Sequence, residues 1–530
     1  MLIAYIAVLL VAVVGLGVQM LYDLMMYQQN SYRNDRYGAW IREVGDSTDY
    51  WRLAAMVVFF LGLSKFSAPV VGMVLAGIFF AARALVLFRA KYKKPLVVTP
   101  RAKRLMVTDF FLAALMAAVA AAVFGNGITE GIFAATEALL AVYGFSWSLM
   151  MAAGFILQPL EKHINQGYID DARRILSSMP GLKIIGITGS YGKTSTKHFL
   201  YRILSEEYET LMTPGNYNTT LGVVRTVREL LKPYHEVFIV EMGAKQPDDI
   251  ADICRLVHPQ RGIITAVGPQ HLESFKTLEC VQATKFELAD ALPSDGLVLV
   301  NNDFEMIASR PVDNTVCLRY AVRETDGADY VAVDIVYTPT GTDFTVRRNA
   351  DGHALRLHTR LMGEANISDL LAAVAMAQTM GVSDEHIAYA VGRIEPVKHR
   401  MSNTLVAGGL VIIDDAYNSN PVGSAMALDV LRTIREHGRV LVTPGMVELG
   451  EKQEELNREF GRRAATSADT VIVVGRTNRE AITGGLRDGG MPQERVHTVD
   501  TFAEAQALIA SKTILTEVIL YENDLPDTYK

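Results

Sequence analysis

Residues 184–196 read Ile-Ile-Gly-Ile-Thr-Gly-Ser-Tyr-Gly-Lys-Thr-Ser-Thr, in which a hydrophobic run passes through a turn with two glycines into a polar segment. A buried strand, a glycine-bearing loop and a helix in this order are typical of a phosphate-binding loop, or P-loop. The strict pattern has another glycine at position 187, where this chain has isoleucine, so we predict a shortened P-loop. Its predicted nucleotide-binding residues are Gly189, Ser190, Tyr191, Gly192, Lys193, Thr194 and Ser195.

Each residue type in this loop has a chemical task. Gly189 and Gly192 let backbone N–H groups approach phosphate oxygens, and the N-terminus of the following helix favours negative charge. Lys193 can reach the β and γ phosphates, and the hydroxyl of Thr194 can bind Mg²⁺. The loop therefore predicts that the protein binds ATP with Mg²⁺.

The next predicted core strand ends in an acidic residue, Glu241, within Val237-Phe-Ile-Val-Glu-Met-Gly-Ala. Open α/β sheets bind ligands at the carboxyl ends of their strands, so Glu241 is placed to bind a metal ion. A solvated acid at the end of a strand is the alternative. Transport and motor ATPases usually have aspartate here, and the chain lacks the Leu-Ser-Gly-Gly-Gln signature of transporters.

Short hydrophobic runs alternate with amphipathic segments from residue 181 to the C-terminus, as in α/β proteins. The predicted strands of a first α/β domain are residues 183–188, 236–241, 262–266 and 297–300. A second unit begins near residue 392, with predicted strands at 411–415, 440–443 and 470–474. We predict an α/β P-loop ATPase domain over residues 181–391 and a Rossmann-like α/β domain over residues 392–530.

The first 160 residues contain apolar runs that are long enough to cross a bilayer. About 20 apolar residues in a helix span a hydrocarbon core of about 30 Å. The candidate spans are residues 1–22, 51–64, 66–88, 105–125 and 132–160. Arg83 and Asp109 lie near the ends of their runs, where snorkelling or a cavity would accommodate them. We predict a transmembrane region of four or five helices over residues 1–160; a cleaved signal peptide at 1–22 and a soluble all-α domain are the alternatives.

The orientation of this region is predicted by residues 89–104, which contain seven Lys or Arg and no acid between two apolar runs. Positively charged loops stay in the cytoplasm. Two further crossings return the chain to the same side after residue 160, where ATP is available. The sequence therefore predicts an integral membrane protein with cytoplasmic catalytic domains and contacts to membrane lipids.

The overall charge and the spacing of the cysteines argue against two other classes of protein, those that bind nucleic acid and those with a zinc or redox motif. The net charge of −7, with no extended basic surface, argues against nucleic-acid binding. Cys254, Cys280 and Cys317 are widely spaced and match no zinc or redox motif, which fits a reducing compartment.

Six motifs in order resemble those of the Mur ligases, over roughly residues 181–530. They are Thr188-Gly-Ser-Tyr-Gly-Lys-Thr, Gly215-Asn-Tyr-Asn, Glu241-Met-Gly-Ala, His271-Leu-Glu, Lys285-Phe-Glu and Asp414-Asp-Ala-Tyr-Asn-Ser-Asn-Pro. The pattern is most similar to the branch of the family that adds D-alanyl-D-alanine to the UDP-N-acetylmuramoyl tripeptide. The resemblance implies that ATP phosphorylates a substrate carboxylate and that an amine then attacks the acyl phosphate to form an amide.

The resemblance also implies roles for single residues. Thr194 and Glu241 would bind one Mg²⁺, and His271 would bind a second. Lys285 would react with CO₂ to form a carbamate, which is a metal ligand where a bare lysine would repel the metal. The catalytic residues would thus be Lys193, Lys285 and His271. For His271 and Lys285 the alternatives are a structural histidine and a surface lysine paired with an acid.

Further residues are implied to bind nucleotide and substrate. Asn301 and Asp303 would contact adenine, although Asn-Asn-Asp after a strand is equally good turn chemistry. When the C-terminal domain closes, Arg400 would reach the ATP phosphates, and Asp415 would reach the ribose or phosphate region. The implied substrate residues are Asn216, Asn218, Asn418 and Asn420, the last two with a tight turn as the alternative.

Three departures from the family pattern bear on the substrate. Apolar runs replace the uridine-binding domain expected before the P-loop, Pro444-Gly-Met stands where many relatives have Gly-Asp-Met, and the usual Lys-Gly-Ser near the C-terminus is missing. We predict an amide ligase of cell-wall precursor synthesis, and the resemblance implies that its membrane is the bacterial inner membrane. Its acceptor would carry a carboxylate, UDP-linked or lipid-linked, and its amine would be one such as D-Ala-D-Ala. A ligase for another acidic acceptor such as poly-glutamate, a non-catalytic nucleotide-binding scaffold and a transport ATPase are the alternatives.

Overall fold

The computed structural model describes residues 2–44, 48–63, 69–92, 94–270, 272–338, 341–395, 402–405, 410–415, 420–434, 438–511 and 517–524. The chain forms two compact units, a helical unit that ends at Gln166 and an α/β unit over residues 167–524. The predicted fold class, a helical region with long apolar helices followed by two α/β sheets, is confirmed.

The helical unit is built from α1 to α6 and the first part of α7. These helices are α1 Leu2–Gln29, α2 Asn34–Val44, α3 Thr48–Leu63, α4 Pro69–Arg89, α5 Pro100–Phe124, α6 Ile128–Gly144 and α7 Ser146–Ser177. Leu16 and Met20 of α1 pack with Phe80 of α4 and Tyr143 of α6 in one buried cluster. Thr99 caps α5 by accepting a hydrogen bond from the Ala102 N–H, and Pro100 occupies the first position of the helix.

Among the described residues, three helices are long and apolar enough to cross a membrane: Leu2–Gln29, Val70–Arg89 and Pro100–Phe124. The predicted span 132–160 is not one straight helix, because α6 and α7 meet at 82° around Phe145; this pair counts as a fourth span if it is taken as one. The described part of the predicted run 51–64 lies in α3, which has 16 residues and is too short for a full crossing.

Arg83 and Asp109, which lie near the ends of their predicted spans, are buried inside the helical unit rather than snorkelling. Arg83 is 3% exposed, donates from Nε to Gln19 Oε1 over 3.1 Å and lies against the rings of Tyr22 and Trp51. Asp109 is completely buried. Both side chains are enclosed by packing between helices. Hydropathy along a single helix does not show such packing.

The α/β unit contains a mixed sheet of nine strands in the order β2-β3-β1-β4-β5-β6-β7-β8-β9. Its strands are β1 Lys183–Thr188, β2 Thr210–Met212, β3 Val237–Glu241, β4 Arg261–Ile264, β5 Leu297–Asn301, β6 Val316–Ala321, β7 Tyr330–Thr338, β8 Gly341–Arg348 and β9 Ala354–Thr359. Its helices are α8 Lys193–Leu204, α9 Thr220–Glu229, α10 Asp249–Val257, α11 Leu272–Phe275, α12 Leu278–Asp290, α13 Glu305–Ala308, α14 Glu364–Thr379 and α15 Asp384–Val391. The first seven strands in this order are parallel, and β8 and β9 are antiparallel to their neighbours.

Alternation along the parallel strands divides the core into two layers. Ile185 and Ile187 of β1 pack on one face with residues of α8 and α14, whereas Ile184 packs on the other face with residues of α10 and α12. Parallel strands covered on both faces are apolar throughout, which explains why β1 and β3 are continuous hydrophobic runs.

A second sheet of six strands follows, in the order β10-β11-β15-β12-β13-β14. Its strands are β10 Ser402–Leu405, β11 Val411–Asp415, β12 Arg439–Thr443, β13 Thr470–Val474, β14 Val496–Val499 and β15 Val518–Glu522, with helices α16 Pro421–Ile434, α17 Gln453–Ser467, α18 Arg479–Asp488 and α19 Phe502–Ala510. All pairs are parallel except β10 with β11. Asp415 and Glu522 are partners at the carboxyl ends of neighbouring strands.

Candidate active site

The carboxyl ends of four neighbouring strands of the first sheet carry most of the predicted site. β1 leads into the P-loop, β3 ends at Glu241, β4 leads into residues 265–270, and β5 ends at Asn301. The order β3-β1-β4-β5 makes these ends adjacent. Segments that are more than a hundred residues apart in sequence therefore meet at one edge of the sheet, as expected for a ligand site in an open α/β sheet.

The P-loop is fixed by contacts with the residues that follow β4. Ser190 N donates to Ala266 O over 2.7 Å, and the Ser190 hydroxyl is 3.1 Å from both N and O of Gly268. Gly189 and Gly192 have φ of 149° and 76°, which favour glycine. A Cβ atom on Gly192 would lie 2.1 Å from Asp369 Oδ1, so glycine is also required by space.

Lys193 and Thr194 begin α8 and point to different partners. Lys193 Nζ donates to the carbonyls of Gly189 and Ser190 over 2.6 and 3.2 Å, so the ammonium lies over the loop. The hydroxyl of Thr194 donates to Glu241 Oε1 over 3.2 Å. The predicted pair of Thr194 and Glu241 is thus brought together by the folding of β1 beside β3.

Glu241 is the centre of a buried polar network. Its Oε1 also accepts a hydrogen bond from Asn218 Nδ2 over 3.1 Å, and Lys197 Nζ lies 2.9 Å from Oε2. Burial alone would raise the pKa of the Glu241 carboxyl, but the ammonium groups of Lys197 and Lys193 and the hydrogen bonds outweigh it, and the net shift is downward. Glu241 is therefore an ionised carboxylate at neutral pH, which is the form that binds a divalent cation.

Lys285 lies on α12 and is 2% exposed, with its Nζ 5.9 Å from the centre of the Phe275 ring. Burial lowers the pKa of its ammonium to about 7, and the nearby Lys193 contributes in the same direction. A substantial fraction of Lys285 is therefore a neutral amine at neutral pH, which is the form that can react with CO₂. The predicted alternative of a helix-surface lysine is wrong, because the side chain is buried.

Asn301 and Asp303 use their side chains within the loop after β5. Asn301 Nδ2 donates to Thr265 O over 2.9 Å, which ties the ends of β4 and β5 together. The Asp303 carboxylate accepts hydrogen bonds from the backbone N–H groups of Val322, Arg323 and Glu324. These contacts indicate that the Asp303 side chain stabilises the turn. Its contact with adenine stays a prediction.

Residues of both sheets line one cavity. From the first sheet come Tyr191, Ser195, Asn301, Asp303 and Asp369; from the second come Asp415, Asn420 and Glu522. Asn420 also caps α16, because its Oδ1 accepts a hydrogen bond from the Gly423 N–H over 2.8 Å and Pro421 begins the helix. Asp415 and Asn420 thus face the same space as the P-loop.

The predicted residues His271, Arg400 and Asn418 lie outside the described residues, so their roles stay predictions. Among the described residues, Asn216 is not brought into this arrangement. Asn216 is exposed, and its carbonyl accepts a hydrogen bond from the Asn218 N–H.

The described residues fit one Mg²⁺ at Thr194 and Glu241. Mg²⁺ keeps several water ligands and commonly takes one or two protein oxygens together with phosphate, so a hydroxyl beside an ionised carboxylate is a suitable donor set. Within the described part of the chain, no group of three or more His, Cys, Asp or Glu side chains is arranged to hold a metal. A site made by protein ligands alone is therefore not seen there.

Comparison with known families identifies the two sheets. Residues 187–377 match the Mur ligase middle domain, and residues 399–520 match the Mur ligase glutamate ligase domain. The chain belongs to the Mur ligase family. Mur ligases are ATP-dependent acid–amino-acid ligases, and this chain is therefore an enzyme of that class.

Two curated relatives of this Mur ligase carry the same name. The UDP-N-acetylmuramoyl-tripeptide–D-alanyl-D-alanine ligase of Escherichia coli is 28% identical over 384 residues, which are 69% of this chain and 82% of the relative. The enzyme of the same name from Mycobacterium leprae is 30% identical over 369 residues, which are 64% of this chain and 70% of the relative. A crystal structure of MurF from Acinetobacter baumannii superposes on this chain with a TM-score of 0.61 at 26% identity. The superposition covers 67% of this chain and 77% of the MurF chain.

The sequence reasoning missed several residues of the site. Lys197 and Thr265 are buried beside the P-loop, and Asp369 and Glu522 line the cavity. One signal was available for Lys197, because it follows Lys193 by one helical turn and therefore lies on the same face of α8. Thr265 had no comparable signal, since its role depends on the pairing of β1 with β4.

The close contact between Tyr191 and Gly268 predicts how substitutions at these two positions change thermal stability. The Tyr191 hydroxyl is buried without a hydrogen-bond partner among the described residues, and a Cβ atom on Gly268 would lie 1.9 Å from it. We expect Tyr191→Phe to leave thermal stability unchanged or slightly raised, because no hydrogen bond is lost. Gly268→Ala should destabilise by about 1–3 kcal/mol through overpacking, and Tyr191→Phe should restore part of this loss.

Thermal unfolding of the two single variants and the double variant measures this coupling. If Gly268→Ala has the same effect in the wild type as in the Tyr191→Phe variant, the contact is contradicted.

Proposed function

We propose that this Mur ligase is a membrane-anchored amide ligase that activates the carboxylate of a peptidoglycan-precursor-like acceptor with ATP and joins it to an amine. The observation that supports this most directly is the contact of Thr194 with an ionised Glu241 beside the P-loop. Phosphoryl transfer needs positioning and neutralisation of negative charge more than covalent help from the protein. The site provides both.

The residues of the chain have separate tasks in this proposal. Thr194 and Glu241 would hold one Mg²⁺; His271 and the carbamate of Lys285 would hold a second. Bound Mg²⁺ supplies positive charge to the phosphate oxygens. Lys193 supplies a further positive charge, and the N–H groups of residues 189–194 orient the phosphates. Residues 265–268 hold the loop in place through Ser190.

The acceptor is the part of the proposal that the relatives do not determine. Their printed names specify a UDP-N-acetylmuramoyl tripeptide and D-alanyl-D-alanine. In the described part of this chain, three long apolar helices precede the matched domains, where the uridine-binding domain of the family would stand. A lipid-linked acceptor is therefore proposed beside the UDP-linked one, with D-Ala-D-Ala as the first amine to test.

Release of phosphate tests this function. The full chain, purified in detergent, is incubated with ATP, Mg²⁺, D-Ala-D-Ala and either UDP-linked or lipid-linked muramoyl tripeptide. We expect phosphate release that depends on both acceptor and amine, with a product that contains a new amide bond by mass spectrometry. ATP turnover that is indifferent to the acceptor would instead indicate a transporter or regulator and reject the ligase.

Membrane anchoring and orientation make a separate prediction. If α5 crosses the membrane, residues on either side of it face opposite compartments. Lys91 and Gly127 are exposed positions before and after α5, and a side chain at Gly127 would meet no atom within 4 Å. With the three native cysteines replaced by alanine, an impermeant maleimide on intact cells should label Gly127→Cys and not Lys91→Cys.

Inverted membrane vesicles provide the control, because the labelling of the two positions should be exchanged there. Labelling of Lys91→Cys in intact cells would reverse the proposed orientation, and recovery of the chain without detergent would reject the anchor.

A further inference from the structure

A buried lysine lies on α8, the helix that follows the P-loop. Lys197 follows Lys193 by one turn of α8, and its side chain is completely buried. Its Nζ lies 2.9 Å from Glu241 Oε2 and donates to the carbonyl of Gly215 over 2.7 Å. Lysine is rarely buried completely unless it is paired, so these two contacts account for its place in the core.

The two partners of Lys197 belong to different parts of the site. Glu241 ends β3, whereas Gly215 begins the segment 215–218, which has the sequence Gly-Asn-Tyr-Asn. At the other end of this segment, Asn218 Nδ2 donates to Glu241 Oε1 over 3.1 Å. Both ends of the segment are thus tied to one carboxylate, one directly and one through Lys197.

The contacts also fix the orientation of that carboxylate. With Lys197 at Oε2, the other oxygen, Oε1, faces the Thr194 hydroxyl. The ion pair is buried and therefore weakly screened, so the ammonium restricts rotation of the Glu241 side chain more than an apolar side chain of equal length would. Groups that orient a metal ligand in this way commonly change metal affinity when they are replaced.

We propose that Lys197 is a positioning residue that couples the segment 215–218 to the metal-binding carboxylate of Glu241. The inference rests on the proposed function, in which Glu241 binds Mg²⁺. A displacement of the segment moves the Gly215 carbonyl, Lys197 follows, and the Glu241 carboxylate loses its orientation toward Thr194. Lys197 thereby links the position of the segment 215–218 to Mg²⁺ binding at Glu241.

Mg²⁺-dependent nucleotide binding tests this role without turnover. The full chain in detergent is titrated with Mg²⁺ in the presence of a fluorescent ATP analogue. We expect Lys197→Met to raise the Mg²⁺ concentration for half-maximal binding by about 10- to 100-fold. Arg202→Met is the matched control, because Arg202 lies on the same helix and pairs with Glu206 away from the site; it should titrate like the wild type.

Hydrogen exchange tests the other half of the coupling. Peptides that cover residues 215–218 should exchange faster in Lys197→Met than in the wild type and in Arg202→Met. If Lys197→Met does not fold, the double variant Lys197→Met/Glu241→Gln, which leaves no buried charge unpaired, is compared with Glu241→Gln alone. Faster exchange at 215–218 in the double variant supports the coupling, and equal exchange overturns it.

The outcomes separate this inference from the proposed function. An unchanged Mg²⁺ titration in Lys197→Met, with only a lower melting temperature, overturns the positioning role and leaves the ligase proposal intact. Wild-type nucleotide binding that is independent of Mg²⁺ overturns the assignment of Glu241 and the inference together.

Discussion

Replacement of Lys193 by alanine is expected to lower acceptor-dependent phosphate release by about 100- to 1,000-fold. The ammonium lies over the P-loop carbonyls of Gly189 and Ser190, and the lysine at this place in P-loop proteins reaches the β and γ phosphates. Loss of this charge removes stabilisation that increases as negative charge shifts during phosphoryl transfer. The effect should therefore be seen in kcat and kcat/KM alike.

A surface lysine controls for the general loss of charge. Lys232 is exposed and follows α9, so Lys232→Ala should retain wild-type turnover. Thermal unfolding of both variants distinguishes a chemical defect from a folding defect. Full turnover in a folded Lys193→Ala variant would remove the P-loop from the mechanism and with it the proposed function.

Replacement of Lys285 by alanine is expected to lower turnover by about 100-fold, with partial recovery on addition of formate or acetate. In the proposal, the carbamate of Lys285 is a carboxylate-like ligand, and a small carboxylate can occupy the space that the truncated side chain leaves. The side chain is buried, so an unmodified ammonium there would be unfavourable both to the protein and to a nearby cation.

The lowered pKa of Lys285 predicts how activation by CO₂ depends on pH. Because burial lowers the pKa to about 7, the neutral amine that reacts with CO₂ predominates above pH 7, and the unreactive ammonium predominates below it. Activation of the CO₂-depleted wild type by added bicarbonate should therefore increase as pH rises through about 7. Lys285→Ala should show no such activation.

Two results would contradict the carbamate. Wild-type turnover in Lys285→Ala would remove any role for this lysine. Rescue by small amines in place of small carboxylates would show that the positive charge of Lys285, rather than its modified form, is required.

Local sequence was sufficient to predict the elements that depend on neighbouring residues. The strand, loop and helix at 183–204 follow from a hydrophobic run, two glycines and a polar helix start, and β1 has the predicted bounds. The position of Glu241 at the end of a buried strand follows from the same reasoning. The apolar helices of the first 160 residues follow from hydropathy, since a run of about 20 apolar residues is its own signal.

Predictions failed or were absent where the answer depends on distant residues. The bend of 82° between α6 and α7 divides a run that hydropathy treats as continuous. Arg83 is buried against Gln19, Tyr22 and Trp51, which lie on other helices of the unit, so composition along its own helix could not reveal the contact.

The sequence by itself determined the fold class, the P-loop and the family, because motifs and periodicity are properties of contiguous residues. Only the tertiary structure decided that the ammonium of Lys197 helps to keep the Glu241 carboxyl ionised and that Lys285 is buried with a lowered pKa. It also decided that the Asp303 carboxylate stabilises a turn. Charge state and hydrogen bonding depend on which strands become neighbours and how deeply each side chain is buried, and these quantities exist only once the sheet has formed.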